Sequence, residues 1–226
     1  MHPLDTPVHS ALTGTHAPFA RRHGSALRYP PEMSIWAAFP DDADGWRDAE
    51  GFGTVTTAGD PRTAPAGWEC TMLIPGVQYD GSGMAVVPDP EAVVLGPDDV
   101  PEMLALVERT RPGPFLERTI EMGTYLGIRD GGALVAMAGE RMRPAGWSEI
   151  SAVCTAPEAR GRGLGSRLVR AVGAAIRERG DVPFLHAAAD NATALRLYEH
   201  LGFTLRRTVE FAEYAFTARR SRDSQR

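Results

Sequence analysis

The segment Arg160–Gly165, with the sequence Arg-Gly-Arg-Gly-Leu-Gly, constrains the fold more than any other part of the chain. It stands between an apolar run that ends at Thr155 and an amphipathic stretch that begins at Leu164, which predicts a strand, a tight glycine turn and the start of a helix. Glycine lets the backbone come close to a ligand, and the free N–H groups at a helix start favour a diphosphate. We therefore expect a phosphate-bearing cofactor at this turn.

The details of the turn exclude two common nucleotide motifs. A Walker loop ends in Gly-Lys-Ser/Thr, and this chain contains no lysine. The dinucleotide fingerprint G-x-G-x-x-G needs a third glycine where this chain has Ser166 or Leu168, depending on which glycine begins the motif.

A second motif follows the glycine turn. The turn itself reads Arg160-x-x-Gly-x-Gly, and a helix pattern led by Asn191 carries Tyr198 and ends in Gly202-Phe203. With both motifs in this order, the stretch 147–203 resembles the GNAT superfamily of acyl-CoA-dependent N-acyltransferases. The resemblance implies an α/β (α+β) fold, with a mixed, mostly antiparallel sheet flanked by helices.

The periodicity along the chain predicts where this fold begins. The order of helix, β-hairpin, strand, helix, strand, helix and strand after residue 91 is that of the acyltransferase fold, so we expect an N-acetyltransferase domain over 91–218. The Pro88-Asp89-Pro90 segment predicts a boundary, with a smaller α+β region over 1–90. The size of that region suits a degenerate copy of the same fold, or a wall of the substrate site. Residues 219–226 are expected to be a frayed tail.

Charge and cysteine content limit the partners. The first 110 residues hold 16 acidic residues and 6 arginines, whereas 13 acidic residues and 18 arginines follow, so the half with the glycine turn is basic. Binding of a polyanionic cofactor would explain this asymmetry, and the alternative is a chance distribution of charged residues. The net charge of −5 argues against binding of nucleic acid. The chain has only two cysteines, so we expect neither a disulfide framework nor a cysteine-based zinc site, and no metal. We expect a cytoplasmic protein, because the sequence shows no leader pattern and no apolar stretch of membrane-spanning length.

The resemblance assigns the cofactor site residue by residue. It implies that acetyl-CoA, or another acyl-CoA, binds through its pyrophosphate to the backbone N–H groups of Gly161, Arg162, Gly163, Leu164, Gly165 and Ser166, with Arg160 adding backbone contacts and charge. It also implies that the strand before the turn splays from its neighbour at a bulge, and that the free backbone groups of Val153 and Thr155 pair with pantetheine and the acyl carbonyl. Thr155 also suits a strand by propensity alone. Asn191 either caps its helix or contacts pantetheine.

The same resemblance suggests two catalytic side chains. Tyr198 matches the tyrosine that protonates the departing thiolate, and the alternative is a core aromatic. Glu149 stands eleven residues before Arg160, the spacing of the base glutamate in the histone acetyltransferase branch, and the alternative is a salt bridge with Arg141. Strand alternation would place residues 149, 151, 153 and 155 on one face. His186 is expected to be a satisfied strand histidine rather than a base.

These assignments together predict an enzyme. We expect it to transfer an acetyl or other short acyl group from acyl-CoA to a primary amine by direct attack in a ternary complex. The acceptor is either a small molecule or a protein amine. The alternatives are a non-catalytic acyl-CoA-binding sensor and, less consistent with the charge, a nucleic-acid binder.

Overall fold

The strands of residues 2–217, the part of the chain that the computed structural model describes, form two sheets. The helices are α1 (Pro7–Thr13), α2 (Ala43–Ala49), α3 (Val100–Thr110), α4 (Leu164–Glu178) and α5 (Ala192–His200). The strands are β1 (Arg21–His23), β2 (Ala26–Arg28), β3 (Ala37–Ala38), β4 (Thr54–Gly59), β5 (Trp68–Asp80), β6 (Val93–Val94), β7 (Tyr125–Asp130), β8 (Ala133–Glu140), β9 (Trp147–Thr155), β10 (Val182–Ala188) and β11 (Thr204–Phe216). The expected frayed tail lies outside the described residues.

The larger sheet has eight strands in the order β4-β11-β5-β10-β9-β8-β7-β6. Its pairs are antiparallel except for β9 and β10, which run parallel because α4 connects them as a crossover. The apolar face of α4, with Leu164, Leu168, Val172 and Ile176, is buried on this sheet. The predicted mixed, mostly antiparallel sheet flanked by helices is therefore confirmed.

The predicted boundary near residue 90 does not divide the sheet. Strand β5, which belongs to the first 90 residues, lies in the sheet centre between β10 and β11. It pairs with β10 from Asp80 to Gly76 and with β11 along its whole length. The longest strand of the N-terminal region 1–90 therefore completes the sheet of the other half.

The two halves nevertheless repeat one order of elements. The first runs α1-β1-β2-β3-α2-β4 and the second runs α3-β7-β8-β9-α4-β10, and each later contributes one strand of 13 residues, β5 or β11. In both halves the first three strands are antiparallel neighbours, and the third runs parallel to the fourth. The long strands are exchanged, because β5 pairs with β10 and β11 pairs with β4. A degenerate copy of the fold would produce this repeat.

No helix within residues 2–217 is long and apolar enough to cross a membrane.

Candidate active site

Strands β9 and β10 are paired at their N-terminal ends and then diverge. They pair only at Trp147–Val182, Ser148–Pro183 and Glu149–Phe184. Beyond these pairs β10 stays with β5, and β9 stays with β8. The backbone of residues 150–155 therefore faces an opening between the two strands, which we call the wedge.

A β-bulge at Ala152 reverses the side-chain alternation in the wedge. Ala152 has φ +53°, and the register with β8 shifts between Ser151 and Cys154. Val153 Cγ1 and Thr155 Oγ1 lie 3.8 Å from the position that a Cβ on Gly165 would occupy, so both point toward α4.

Glu149 lies on the opposite face, so the expectation that residues 149, 151, 153 and 155 share one face is wrong. The extra residue at the bulge shifts the alternation by one position, and simple period-2 reasoning misses this shift.

The glycine turn forms the base of the wedge. Gly161 and Gly163 have φ of +78° and +70°, a region that other residues rarely adopt, and a Cβ on either would meet open space. The first helical hydrogen bond runs from Arg167 N to Gly163 O at 3.1 Å. Among the described residues, no backbone carbonyl accepts from the N–H groups of residues 161–166. This stretch therefore presents consecutive free donors at the positive end of α4.

Two arginines flank the turn. Arg160 donates from Nε to Thr155 O at 3.4 Å, which ties the turn to the end of β9. Arg162 forms a half-exposed ion pair with Asp130 at 2.6 Å. Both place positive charge beside the free donors, as an anionic ligand requires.

Tyr198 lies on α5 and packs edge-on against Phe203, with ring centroids 5.8 Å apart. The side chain is 9% exposed, and burial raises the pKa of its phenol to about 12. The phenol is therefore protonated at neutral pH. The ring thus packs as a core aromatic.

Asn191 is the N-cap of α5. Its side-chain oxygen accepts from Ala194 N at 3.1 Å. Of the two roles expected for this residue, capping is the one that the structure shows.

Glu149 is fully buried and bonded at both carboxylate oxygens. Oε1 accepts from Arg141 Nη2 at 2.7 Å and from His186 Nδ1 at 2.7 Å, and Oε2 accepts from Arg141 Nε at 2.8 Å. Burial by itself raises the pKa of this carboxyl, but the charge and hydrogen bonds of Arg141 outweigh burial and lower the pKa to about 2. This geometry is the one expected under the alternative for Glu149, an ion pair with Arg141.

His186 links this pair to a buried polar row across the sheet. Its Nε2 accepts from the amide nitrogen of Gln78 at 3.0 Å, so its proton lies on Nδ1 and is donated to Glu149. Gln78 Oε1 accepts from Arg206 at 2.8 Å, and Arg206 pairs with Asp5 near the N-terminus. His186 is thus a satisfied strand histidine, as expected. Sequence reasoning missed the rest of the row because no motif marks those positions.

The N-terminal segment covers the face that carries Glu149. Arg141 lies over the ring of Trp36, at 5.3 Å from its centroid. Beside it the hydroxyl of buried Tyr29 donates to Nδ1 of His16 at 3.0 Å. Because burial, and secondarily the charge of Arg143, lowers the pKa of His16 to about 4, this imidazole is neutral and accepts.

No group of three or more metal-ligating side chains occurs among residues 2–217.

Comparisons with known proteins point to one family. The FR47-like protein family model matches residues 125–212, which include the wedge and the glycine turn. Over 82 residues the chain is 39% identical to the N-alpha-acetyltransferase RimI of Mycobacterium tuberculosis, a match that covers 35% of this chain and 51% of RimI. The chain thus spans about half the length of that curated relative.

Solved structures extend the match to nearly the whole chain. A protein from Novosphingobium aromaticivorans, described as an acetyltransferase from the GNAT family, is 38% identical, with a TM-score of 0.89 and coverage of 96% of this chain and 99% of that one. A GCN5-related N-acetyltransferase from Kribbella flavida is 16% identical, with a TM-score of 0.65 over 94% of this chain and 95% of that one, and shows the shared fold. With its full-length relative, its wedge and its glycine turn, this chain belongs to the GNAT family of acetyltransferases.

Proposed function

We propose that this protein transfers an acetyl or other short acyl group from acyl-CoA to a primary amine. The observation that carries the proposal is the wedge between β9 and β10, which opens directly above the free N–H groups of residues 161–166. A thioester ligand anchored by its diphosphate at the turn would extend along the backbone of β9. No nucleic acid, membrane or metal is needed.

The cofactor contacts follow from the local geometry. The N–H groups of Gly161, Arg162, Gly163, Leu164, Gly165 and Ser166 would hold the pyrophosphate, with Arg160 adding charge. The backbone of Val153 and Thr155 faces the opening and would pair with the pantetheine amides. A backbone N–H at the bulge would stabilise the oxyanion, where charge develops in the transition state.

The chemistry is a direct attack in a ternary complex. The neutral amine forms a bond to the acyl carbon, the tetrahedral oxyanion collapses, and the carbon–sulfur bond breaks. Tyr198 donates its proton to the departing thiolate, and the ammonium proton passes to water. The phenol is protonated at neutral pH, as a general acid must be. Glu149 is held by Arg141 and His186, so it orders the strands beside the reaction rather than taking a proton.

The acceptor is proposed only as an amine, of a small molecule or of a protein. The relative RimI is named for α-amine acetylation, which makes a peptide N-terminus one candidate. Both cysteines, Cys70 and Cys154, are free thiols, which suits the cytoplasm as the working compartment.

Calorimetry with acetyl-CoA, followed by a thiol-release assay with a panel of amines, tests the proposal. We expect heat on binding and an amine-dependent release of CoA, with both lost together when Gly161→Val blocks the turn. Binding without amine-dependent release would instead indicate a non-catalytic acyl-CoA sensor. Absence of binding would contradict both readings.

A further inference from the structure

A second opening lies between parallel strands in the N-terminal half. A cavity of about 600 Å³ is lined by Ala37 and Ala38 of β3, by residues 57–59 of β4 and by Val8 of α1. Strands β3 and β4 meet at a single parallel bridge, Trp36–Thr56, and pair no further. The cavity begins where they separate.

This cavity occupies the same position in the first half that the wedge occupies in the second, between the third and fourth strands of the internal repeat. In each half, the third strand is followed by a helix and then by the fourth strand, which runs parallel to the third and separates from it. In the sheet, β4 and β9 are separated by β11, β5 and β10, which sets them about 19 Å apart at the usual strand spacing. The two openings are therefore separate places in the molecule.

The chemistry of the two openings differs. The glycine turn of the second half lies between its third strand and the following helix. At the corresponding position, before α2, the first half has Phe39-Pro40-Asp41-Asp42. Asp42 caps α2 by accepting from Gly45 N at 2.8 Å, and Asp44 follows in the first turn. Carboxylates in these positions repel a diphosphate, so the cavity is not a second coenzyme site.

The lining of the cavity carries both signs of charge over an apolar floor. The side chains of Asp41 and Asp60 are 47% and 74% exposed. Oδ1 of Asp41 accepts from Trp46 Nε1, and Oδ1 of Asp60 pairs with Arg207, so the Oδ2 atoms of both carboxylates remain for a ligand.

Arg62 lies over the ring of Phe39 at 4.4 Å from its centroid and donates from Nη2 to Phe39 O at 3.0 Å. Its Nη1 lies 3.9 Å from Asp41 Oδ1, an ion pair without a hydrogen bond. Because Nη1 of Arg62 makes no hydrogen bond, a ligand carboxylate beside this guanidinium would supply one.

We propose that this cavity binds a small zwitterion, an amino-acid derivative or short peptide with a free ammonium and a free carboxylate. The ammonium meets Asp60 and Asp41, the carboxylate meets Arg62, and an apolar side chain packs on Ala58 and Phe39. The volume lies within the range of about 300–1,000 Å³ that is usual for small-molecule sites. The site is distinct from the wedge and does not depend on the proposed transfer reaction.

Calorimetry of the full chain with the dipeptide Ala-Phe tests the proposal, with its N-acetyl and C-amide forms as matched probes. We expect the free dipeptide to bind and each blocked form to bind at least tenfold more weakly, because each lacks one charge. Two variants probe the cavity, Ala58→Leu to fill it and Asp60→Asn to remove an exposed carboxylate. Both should weaken dipeptide binding at least tenfold and leave acetyl-CoA affinity unchanged. Ala133→Leu, at the exposed first residue of β8, is the control and should leave both affinities unchanged.

Three results would overturn the proposal. They are no heat from the dipeptide, equal binding by wild type and both cavity variants, and competition between dipeptide and acetyl-CoA. A raised KM for the best acceptor in Asp60→Asn would show that the acceptor binds in the cavity. That result would refute the claim that the cavity and the wedge are independent sites. Because acetyl-CoA binding is measured independently, failure of this site and failure of the proposed acyl transfer are distinguishable.

Discussion

Arg141 and Glu149 form a doubly hydrogen-bonded ion pair inside the protein, with Nε and Nη2 donating at 2.8 and 2.7 Å to the two carboxylate oxygens. The glutamate is 0% exposed and the arginine 7%. A pair of this kind is held in one geometry, and removal of either partner leaves a buried charge uncompensated. A structural role of Glu149 and a catalytic one therefore predict different effects of its substitution on stability and on the pH profile.

We predict that Glu149→Gln destabilises the protein by about 3 kcal/mol, because Arg141 is left buried without its counter-charge. The double variant Arg141→Met/Glu149→Leu should recover much of this loss, since it removes both charges. Urea unfolding measures the free energies, and the pH profile of kcat/KM supplies the second readout. If the acidic limb of that profile disappears in Glu149→Gln while stability is unchanged, the residue is a base after all.

Tyr198→Phe removes one hydroxyl, for which the described residues offer no hydrogen-bond partner. If this phenol protonates the leaving thiolate, kcat should fall by about 10²-fold with the unfolding free energy nearly unchanged. The matched control is Tyr79→Phe, because the Tyr79 hydroxyl donates to Glu199 at 2.8 Å. The control should lose about 1 kcal/mol of stability and retain kcat. Equal kcat values for the two variants would show that Tyr198 is a core aromatic only.

Gly163 and Gly146 form a second matched pair, with φ of +70° and +74° and open space around each Cα. An alanine at either position should cost about 1 kcal/mol of stability through backbone strain. Only Gly163→Ala should also weaken acetyl-CoA binding, by about tenfold, because it distorts the turn that presents the N–H groups. Calorimetry on both variants decides the matter, and an equal loss of affinity would refute the assignment of the turn.

His16 makes stability depend on pH. Its pKa is about 4 in the folded protein and 6.5 in the unfolded chain, so between these values the unfolded state binds a proton that the folded state does not. Stability should therefore fall as pH decreases from 6.5 to 4, by up to about 3 kcal/mol. In His16→Gln, whose amide can still accept from Tyr29, this part of the loss should vanish. Urea unfolding at pH 7 and pH 4.5 measures both, and identical losses would exclude His16 as the cause.

Local sequence patterns predicted those features that depend on local chemistry. The glycine turn and α4 follow from Arg160–Gly165 and the apolar face behind it, and the cap of α5 follows from Asn191. The family resemblance implies a bulge in the strand before the turn, but its position does not follow from the residues, because Ala152 is an alanine with φ +53° and no residue type marks it. For this reason the face of Glu149 was mispredicted.

The sequence also did not predict which distant strands pair with each other. Gln78 and His186 bond although 108 residues separate them, and only the three-dimensional arrangement brings β5 beside β10. A Pro-rich segment near residue 90 suggests a linker, but local composition does not report which strand lies next to which. The polar row from Arg141 to Asp5 draws on segments from both ends of the chain, so no short motif could reveal it.

The exchange of long strands between the halves has a consequence for biosynthesis. While the chain is being synthesised, the first half lacks β11, the neighbour of β4 in the sheet, until residues 204–216 have left the ribosome. We therefore expect nascent chains arrested before residue 204 to stay sensitive to protease in both halves, and protection to arise in a single late step.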